Sequence, residues 1–159
     1  MTIQANDAIP SAKVKIVVGG EASEVDTAEL FGSGKSVLFG LPGAFTPTCS
    51  QAHLPGYVVN ADTIKAKGVD RIVCMSVNDA FVMGAWGKSS NAEELTMLAD
   101  GNCDFSKALG LDFDGSGFGM GQRCKRFAAI IDNGTVTHVF VEGPGEFEVS
   151  KAENILENL

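Results

Sequence analysis

The sequence predicts an α/β fold in which helices cover both faces of a mixed sheet, and three observations carry that prediction. Ser36-Val37-Leu38-Phe39-Gly40-Leu41 is a short, nearly unbroken apolar run of the kind buried on both faces of a parallel sheet, and Pro42-Gly43 ends it ahead of a helix start. A second strand-like run, residues 70–77, follows that helix and leads into another. Near the end, residues 127–131 and 135–141 flank Asp132-Asn133-Gly134, a hairpin signal and hence an antiparallel pair.

Taken in order, Val14-Lys15-Ile16-Val17-Val18 reads as a strand closed by Gly19-Gly20, and residues 23–30 as a polar connection with one helical turn before Gly32 and Gly34. After the buried strand, Thr46 fits an N-cap, Pro47 the first helical position, and Cys49 falls in the first turn. The helix is expected to run to Lys67, kinked at Pro55, with Gly68 as its C-cap. Asp79 caps a helix over residues 80–87, residues 95–99 form a short strand, and Asp104 caps a turn of helix toward Leu109 that Gly110 ends. Residues 112–121 are rich in glycine and read as a loop; after the hairpin, residues 154–159 close the chain as a helix. This order suits a thioredoxin-like sandwich and, by itself, leaves a flavodoxin-like arrangement open.

A chain of 159 residues with 45% hydrophobic content is expected to form one domain, residues 1–159, around an ordinary core. The formal net charge of −8, with no offsetting cluster of Lys and Arg, argues against nucleic acid or an anionic membrane as partner. No apolar run approaches the ~18 residues of a membrane span, and the N-terminus has no signal-peptide character, so the expected location is cytoplasmic, with a mature organellar form equally compatible. The four cysteines, 49, 74, 103 and 124, form no Cys-x-x-Cys pair, and His53 and His138 complete no zinc spacing; a structural metal is not expected.

Cys49 is the residue with chemistry to do. The first turn of a helix offers unpaired backbone N–H groups and the positive end of the helix dipole, both of which favour a thiolate. Without a second cysteine at the same turn, exchange within a vicinal pair is excluded, which leaves a lone nucleophile with the Thr46 hydroxyl beside it. His53 lies four residues on and could serve as base in a cysteine hydrolase, but two groups on one short helical stretch are poorly aimed at each other for that task.

Pro42-Gly43-Ala44-Phe45-Thr46-Pro47-Thr48-Cys49 resembles the peroxiredoxin signature Pro-x-x-x-Thr-x-x-Cys. Ser50-Gln51-Ala52-His53-Leu54-Pro55-Gly56-Tyr57, Ser76-Val77-Asn78-Asp79-Ala80-Phe81-Val82, Ala85-Trp86-Gly87, Leu98-Ala99-Asp100-Gly101 and Lys125-Arg126-Phe127-Ala128 resemble the type II, atypical two-cysteine branch in order and spacing. The resemblance implies the thioredoxin-like fold and a thiol peroxidase acting on hydrogen peroxide and alkyl hydroperoxides without metal, haem or flavin. It assigns the thiolate to Cys49, peroxide positioning to Thr46, shielding from water to Pro42 and the cationic donor to Arg126, leaving Arg123 a surface charge.

Cys74 matches a resolving position used in plant-like members and also reads as apolar filler of a buried strand. The animal-type resolving cysteine, near Phe147-Glu148-Val149-Ser150, is absent. The resemblance therefore implies either a Cys49–Cys74 disulfide reduced by thioredoxin or a one-cysteine cycle served by glutathione and glutaredoxin. Cys103 and Cys124 match no family cysteine. Trp86, Phe45, Phe81 and Phe118 are candidate pocket walls, a homodimer is expected on the resemblance alone, and a peroxide sensor passing its oxidation to a partner protein is the alternative use of the same sulfur.

Overall fold

Gly19 and Gly20 hold positive φ (57° and 87°), as a two-residue hairpin turn requires, and join strand β1 (Lys13–Val18) to strand β2 (Glu21–Asp26) with Val18 opposite Glu21. The computed structural model describes residues 1–159. The expected polar connection over residues 23–30 is strand over its first four residues, whereas the helical turn expected before Gly32 is present over its last four. The side chains of β2 lie exposed or half-buried, so pairing with β1, and not a hydrophobic pattern, makes it a strand. Asp26 caps α1 (Thr27–Leu30), its carboxylate accepting from the Ala28 N–H at 2.8 Å.

The apolar run is strand β3 (Lys35–Gly40), almost wholly buried. Behind it Pro47 and Thr48 open a helical segment that continues as a π-helical turn, Cys49–His53, then α2 (Leu54–Val59) and α3 (Ala61–Ala66). The single kinked helix expected here is thus three pieces. Pro55 has no N–H to give, and in a regular α-helix its ring would meet the carbonyl of Gln51; the wide turn just before it relieves that conflict. The second break is at Asn60, whose side-chain amide donates to the Gly56 carbonyl at 2.8 Å. Gly68, at φ 94°, follows the end of α3 as expected of a C-cap glycine.

Strand β4 (Arg71–Ser76) runs parallel to β3, and α4 (Ala80–Ser89) crosses to β5 (Thr96–Ala99), parallel to β4. Asp79 caps α4 through the Val82 N–H at 2.8 Å, as expected. The cap of α5 (Asp104–Leu109) differs from expectation. Asp100, not Asp104, accepts from the Phe105 and Ser106 amides at 3.0 and 2.7 Å, reaching across a turn in which Cys103 is left-handed. The glycine-rich segment is not plain loop either, because β6 (Asp112–Asp114) and β7 (Gln122–Cys124) form a two-stranded ribbon around a short 3-10 turn. Strands β8 (Phe127–Asp132) and β9 (Thr135–Val141) form the expected hairpin on Asn133-Gly134, and α6 (Ala152–Asn158) ends the chain.

The large sheet has seven strands in the order β2-β1-β5-β4-β3-β8-β9, parallel across β5-β4-β3 and antiparallel elsewhere. Alternation along β3 and β4 sends Val37, Phe39, Ile72 and Cys74 into the core beneath α2, α3, α4 and α6, and Leu38, Val73 and Met75 into the core beneath α1 and α5. This is the mixed α/β sandwich of the thioredoxin-like class. No helix is long and apolar enough to cross a membrane. The carboxyl ends of β3 and β4 meet the amino end of β8 at one edge of this sandwich, where Cys49 lies.

Candidate active site

Residues 42–46 form a tight loop between β3 and the helix, and three hydrogen bonds hold it. The Thr46 hydroxyl donates to the Gly43 carbonyl at 2.7 Å, Asn78 accepts from the Ala44 N–H at 3.0 Å through Oδ1, and Arg123 donates through Nη1 to the Pro42 carbonyl at 3.3 Å. Thr46 stands at the N-cap position, its carbonyl taking the Ser50 N–H at 2.9 Å. Its side chain, however, turns back to the loop instead of capping an amide, which leaves oxygen lone pairs able to accept a further hydrogen bond. Arg123 is not the free surface charge expected of it, since Nε also donates to the Met120 carbonyl at 2.9 Å and so ties the ribbon to the loop.

Cys49 has no exposed surface. Arg126, immediately before β8, donates through Nη2 to its sulfur at 3.2 Å and through Nη1 to His53 Nδ1 at 2.8 Å. Because Arg126 can only donate, Nδ1 must be the acceptor and His53 carries its proton on Nε2, which lies 3.2 Å from the Ser150 carbonyl. Burial, reinforced by the Arg126 charge, lowers the His53 pKa from 6.5 to about 3, so the ring is neutral and a poor base at physiological pH. His53 is a hydrogen-bonding brace for Arg126. Phe39 and Phe147 flank its ring at centroid distances of 5.0 and 5.1 Å, and the Arg126 guanidinium stands 5.7 Å over Phe147.

The structure brings Pro42, Thr46, Cys49 and Arg126 to one place. Cys74 is near but sealed. It lies on β4 between Phe39 of β3 and Met97 of β5, in the same core layer as Cys49, and burial, with a smaller effect of the Cys49 charge, pushes its thiol well above the usual range. Cys124 belongs to the opposite core layer, donating to the Lys125 carbonyl, and all four cysteines are free.

Of the four aromatic candidates, Trp86 is buried and donates to the Ser50 hydroxyl at 3.0 Å, with Phe45 6.4 Å away between ring centroids; Phe81 and Phe118 face solvent. Sequence reading missed the bracing by His53, Asn78, Arg123 and Ser150. The words Ser76-Val77-Asn78 and Ser50-Gln51-Ala52-His53 were the signals that could have pointed to two of them.

The redoxin family model matches residues 4–156. Peroxiredoxin-2D of Arabidopsis thaliana is 43% identical over 159 residues, covering 99% of this chain and 98% of its own, and the chloroplastic peroxiredoxin-2E-2 of rice is 44% identical over 164 residues, covering 99% and 73%. Among solved structures, reduced Prx3 of Vibrio vulnificus in complex with hydrogen peroxide is 54% identical, with a TM-score of 0.94 and 99% of each chain covered.

Proposed function

Because the chain belongs to the redoxin family, among the type II peroxiredoxins, and is a thiol-dependent peroxidase, we propose that Cys49 is its nucleophile and that Arg126, Thr46 and Pro42 complete the site. The Arg126 Nη2 donor on the Cys49 sulfur carries this reading. In the proposed step the sulfur anion attacks one peroxide oxygen and the O–O bond breaks. The sulfur gains a hydroxyl as sulfenic acid, and the other oxygen leaves as hydroxide or alkoxide and takes up a proton. Arg126 puts an N–H donor and a positive charge where negative charge sits on sulfur and grows on oxygen, the contribution that directed donors make best. Thr46 accepts from the hydroperoxide O–H, and Pro42 covers the sulfur against water. Peroxiredoxins need no prosthetic group for this chemistry.

The sulfenic acid is then reduced by an external thiol, glutathione with glutaredoxin, in a one-cysteine cycle. The burial of Cys74 supports this route over the Cys49–Cys74 disulfide, because its thiol is packed in the core beneath the helices and would meet Cys49 only if that core layer and the turn carrying Cys49 rearranged. The reductant must in turn meet a Cys49 exposed by unwinding of the π-helical turn, a geometry rarer and less regular than the α-helix. Exposed Phe45, Phe81 and Phe118 support a homodimer.

The test is steady-state consumption of hydrogen peroxide by wild type and Cys74→Ser, with the glutaredoxin and the thioredoxin systems as alternative donors. Equal turnover of the two proteins with glutaredoxin is expected. Turnover lost in Cys74→Ser would restore Cys74 as the resolving thiol.

A further inference from the structure

The hydrogen bonds that leave the Arg126 side chain return to its own backbone. The Arg126 carbonyl accepts the Glu142 N–H at 2.9 Å. Glu142 Oε2 then takes three donors, the Glu148 N–H at 2.7 Å, the Ser150 N–H at 2.8 Å and the Ser150 hydroxyl at 2.6 Å. The Ser150 carbonyl accepts from His53 Nε2 at 3.2 Å and from the Tyr57 hydroxyl at 2.7 Å. His53 Nδ1 receives Arg126 Nη1, and Arg126 Nη2 reaches the sulfur. Glu142 is 8% exposed, and the proposed peroxide step uses no carboxylate. Burying a carboxylate is costly unless it is hydrogen-bonded, and the loop that Glu142 staples carries the carbonyl facing His53.

Neutral imidazole offers one donor and one acceptor, so whichever nitrogen donates fixes the other as acceptor. The geometry points to Glu142 as a positioning residue for peroxide reduction: by fixing Ser150 it keeps a carbonyl opposite His53 Nε2, so that Nδ1 stays the acceptor that aims Arg126 at Cys49. In the other tautomer His53 would present an N–H to the guanidinium N–H, and Arg126 would be turned from the sulfur. The inference rests on the reading of Cys49 as the nucleophile.

Two readouts on Glu142→Ala, Glu142→Gln and Ser150→Ala test it: the second-order rate constant for hydrogen peroxide, and the His53 ring nitrogen chemical shifts by NMR. The carboxamide oxygen of Gln can stand where Oε2 stands, so Glu142→Gln retains most of the rate and the Nε2–H signature. Glu142→Ala slows the reaction roughly 10-fold or more, the cost of a charge-assisted hydrogen bond lost from the transition state, and gives a His53 spectrum of mixed tautomers. Wild-type rate and tautomer in Glu142→Ala would overturn the proposal, as would a slower reaction with the His53 signature unchanged.

Should Glu142→Ala not fold, Ser150→Ala decides. It keeps the amide and carbonyl at position 150 and loses one of the three donors, so a slower reaction with a shifted His53 spectrum supports the relay and wild-type values for both refute it. An inert wild-type Cys49 would instead remove the parent reading, and the tautomer measurement would still report on Glu142.

Discussion

Arg126 and Cys49 stand 77 positions apart in the chain and meet at 3.2 Å, Nη2 to sulfur, because β3 and β8 are adjacent antiparallel strands. Gly40 at the end of β3 pairs with Phe127 at the start of β8, so the residues just beyond each strand, the loop to Cys49 on one side and Arg126 on the other, emerge at the same edge of the sheet. The site is therefore a product of strand register. Two segments far apart in the chain thereby bring the proposed nucleophile and its proposed charge partner together.

Arg126→Ala is expected to slow attack on hydrogen peroxide by about 10²–10³-fold, the usual cost of removing one directed donor to developing negative charge. Arg126→Lys recovers little of it, since an ammonium lacks the planar fork that serves His53 and Cys49 together. Stopped-flow fluorescence of Trp86, the single tryptophan, checks both variants, and an unchanged Arg126→Ala rate would take Arg126 out of the mechanism.

The low pKa of His53 has a consequence for acid stability. Below about pH 6.5 the unfolded chain takes up a proton that the folded protein refuses until about pH 3, so stability falls across that window as pH drops. The slope is at most about 1.4 kcal/mol per pH unit. His53→Gln, whose side-chain amide can accept from Arg126 and donate to Ser150, removes this contribution.

Urea unfolding of the two proteins between about pH 6.5 and 5 checks the His53 effect. In that range Glu142 does not interfere. Burial would raise its carboxyl, but the Ser150 and Glu148 donors outweigh burial and hold it below the ordinary 4.5, so its contribution is lost only at lower pH. Identical slopes for wild type and His53→Gln would contradict the account.

Gly40→Ala tests the register itself. A Cβ at position 40 would collide with the Phe127 ring and lie 3.1 Å from Met75 Cγ. Overpacking of this kind costs roughly 1–3 kcal/mol. The expected outcome is a lower urea midpoint together with slower peroxide attack, because the displaced ring is the neighbour of Arg126. A loss of stability with wild-type kinetics would mean that the site tolerates movement of β8.

Much of this was legible because it is local. The nearly unbroken apolar run at residues 36–41, Pro42-Gly43, and Thr46-Pro47 ahead of Cys49 each describe a few neighbouring residues, and the fold keeps that order. Arg126 was legible through the peroxiredoxin resemblance and had no local mark, since an arginine before a strand is ordinarily a solvated charge. The support of His53 by Ser150 and Glu142 runs through contacts up to 97 positions apart, for which no pattern in one sequence stands. Strand β2 was lost for a related reason. At an edge its backbone pairs while its side chains stay in water, so no alternation marks it.

The most direct measurement is intact mass after one equivalent of hydrogen peroxide without added thiol, for wild type and Cys49→Ser, with peptide mapping of the product. The account predicts fast gain of one oxygen atom on Cys49 in wild type, no loss of two hydrogens, and no comparable change in Cys49→Ser. Oxidation at the same rate in Cys49→Ser, or oxygen located on another cysteine, would contradict it.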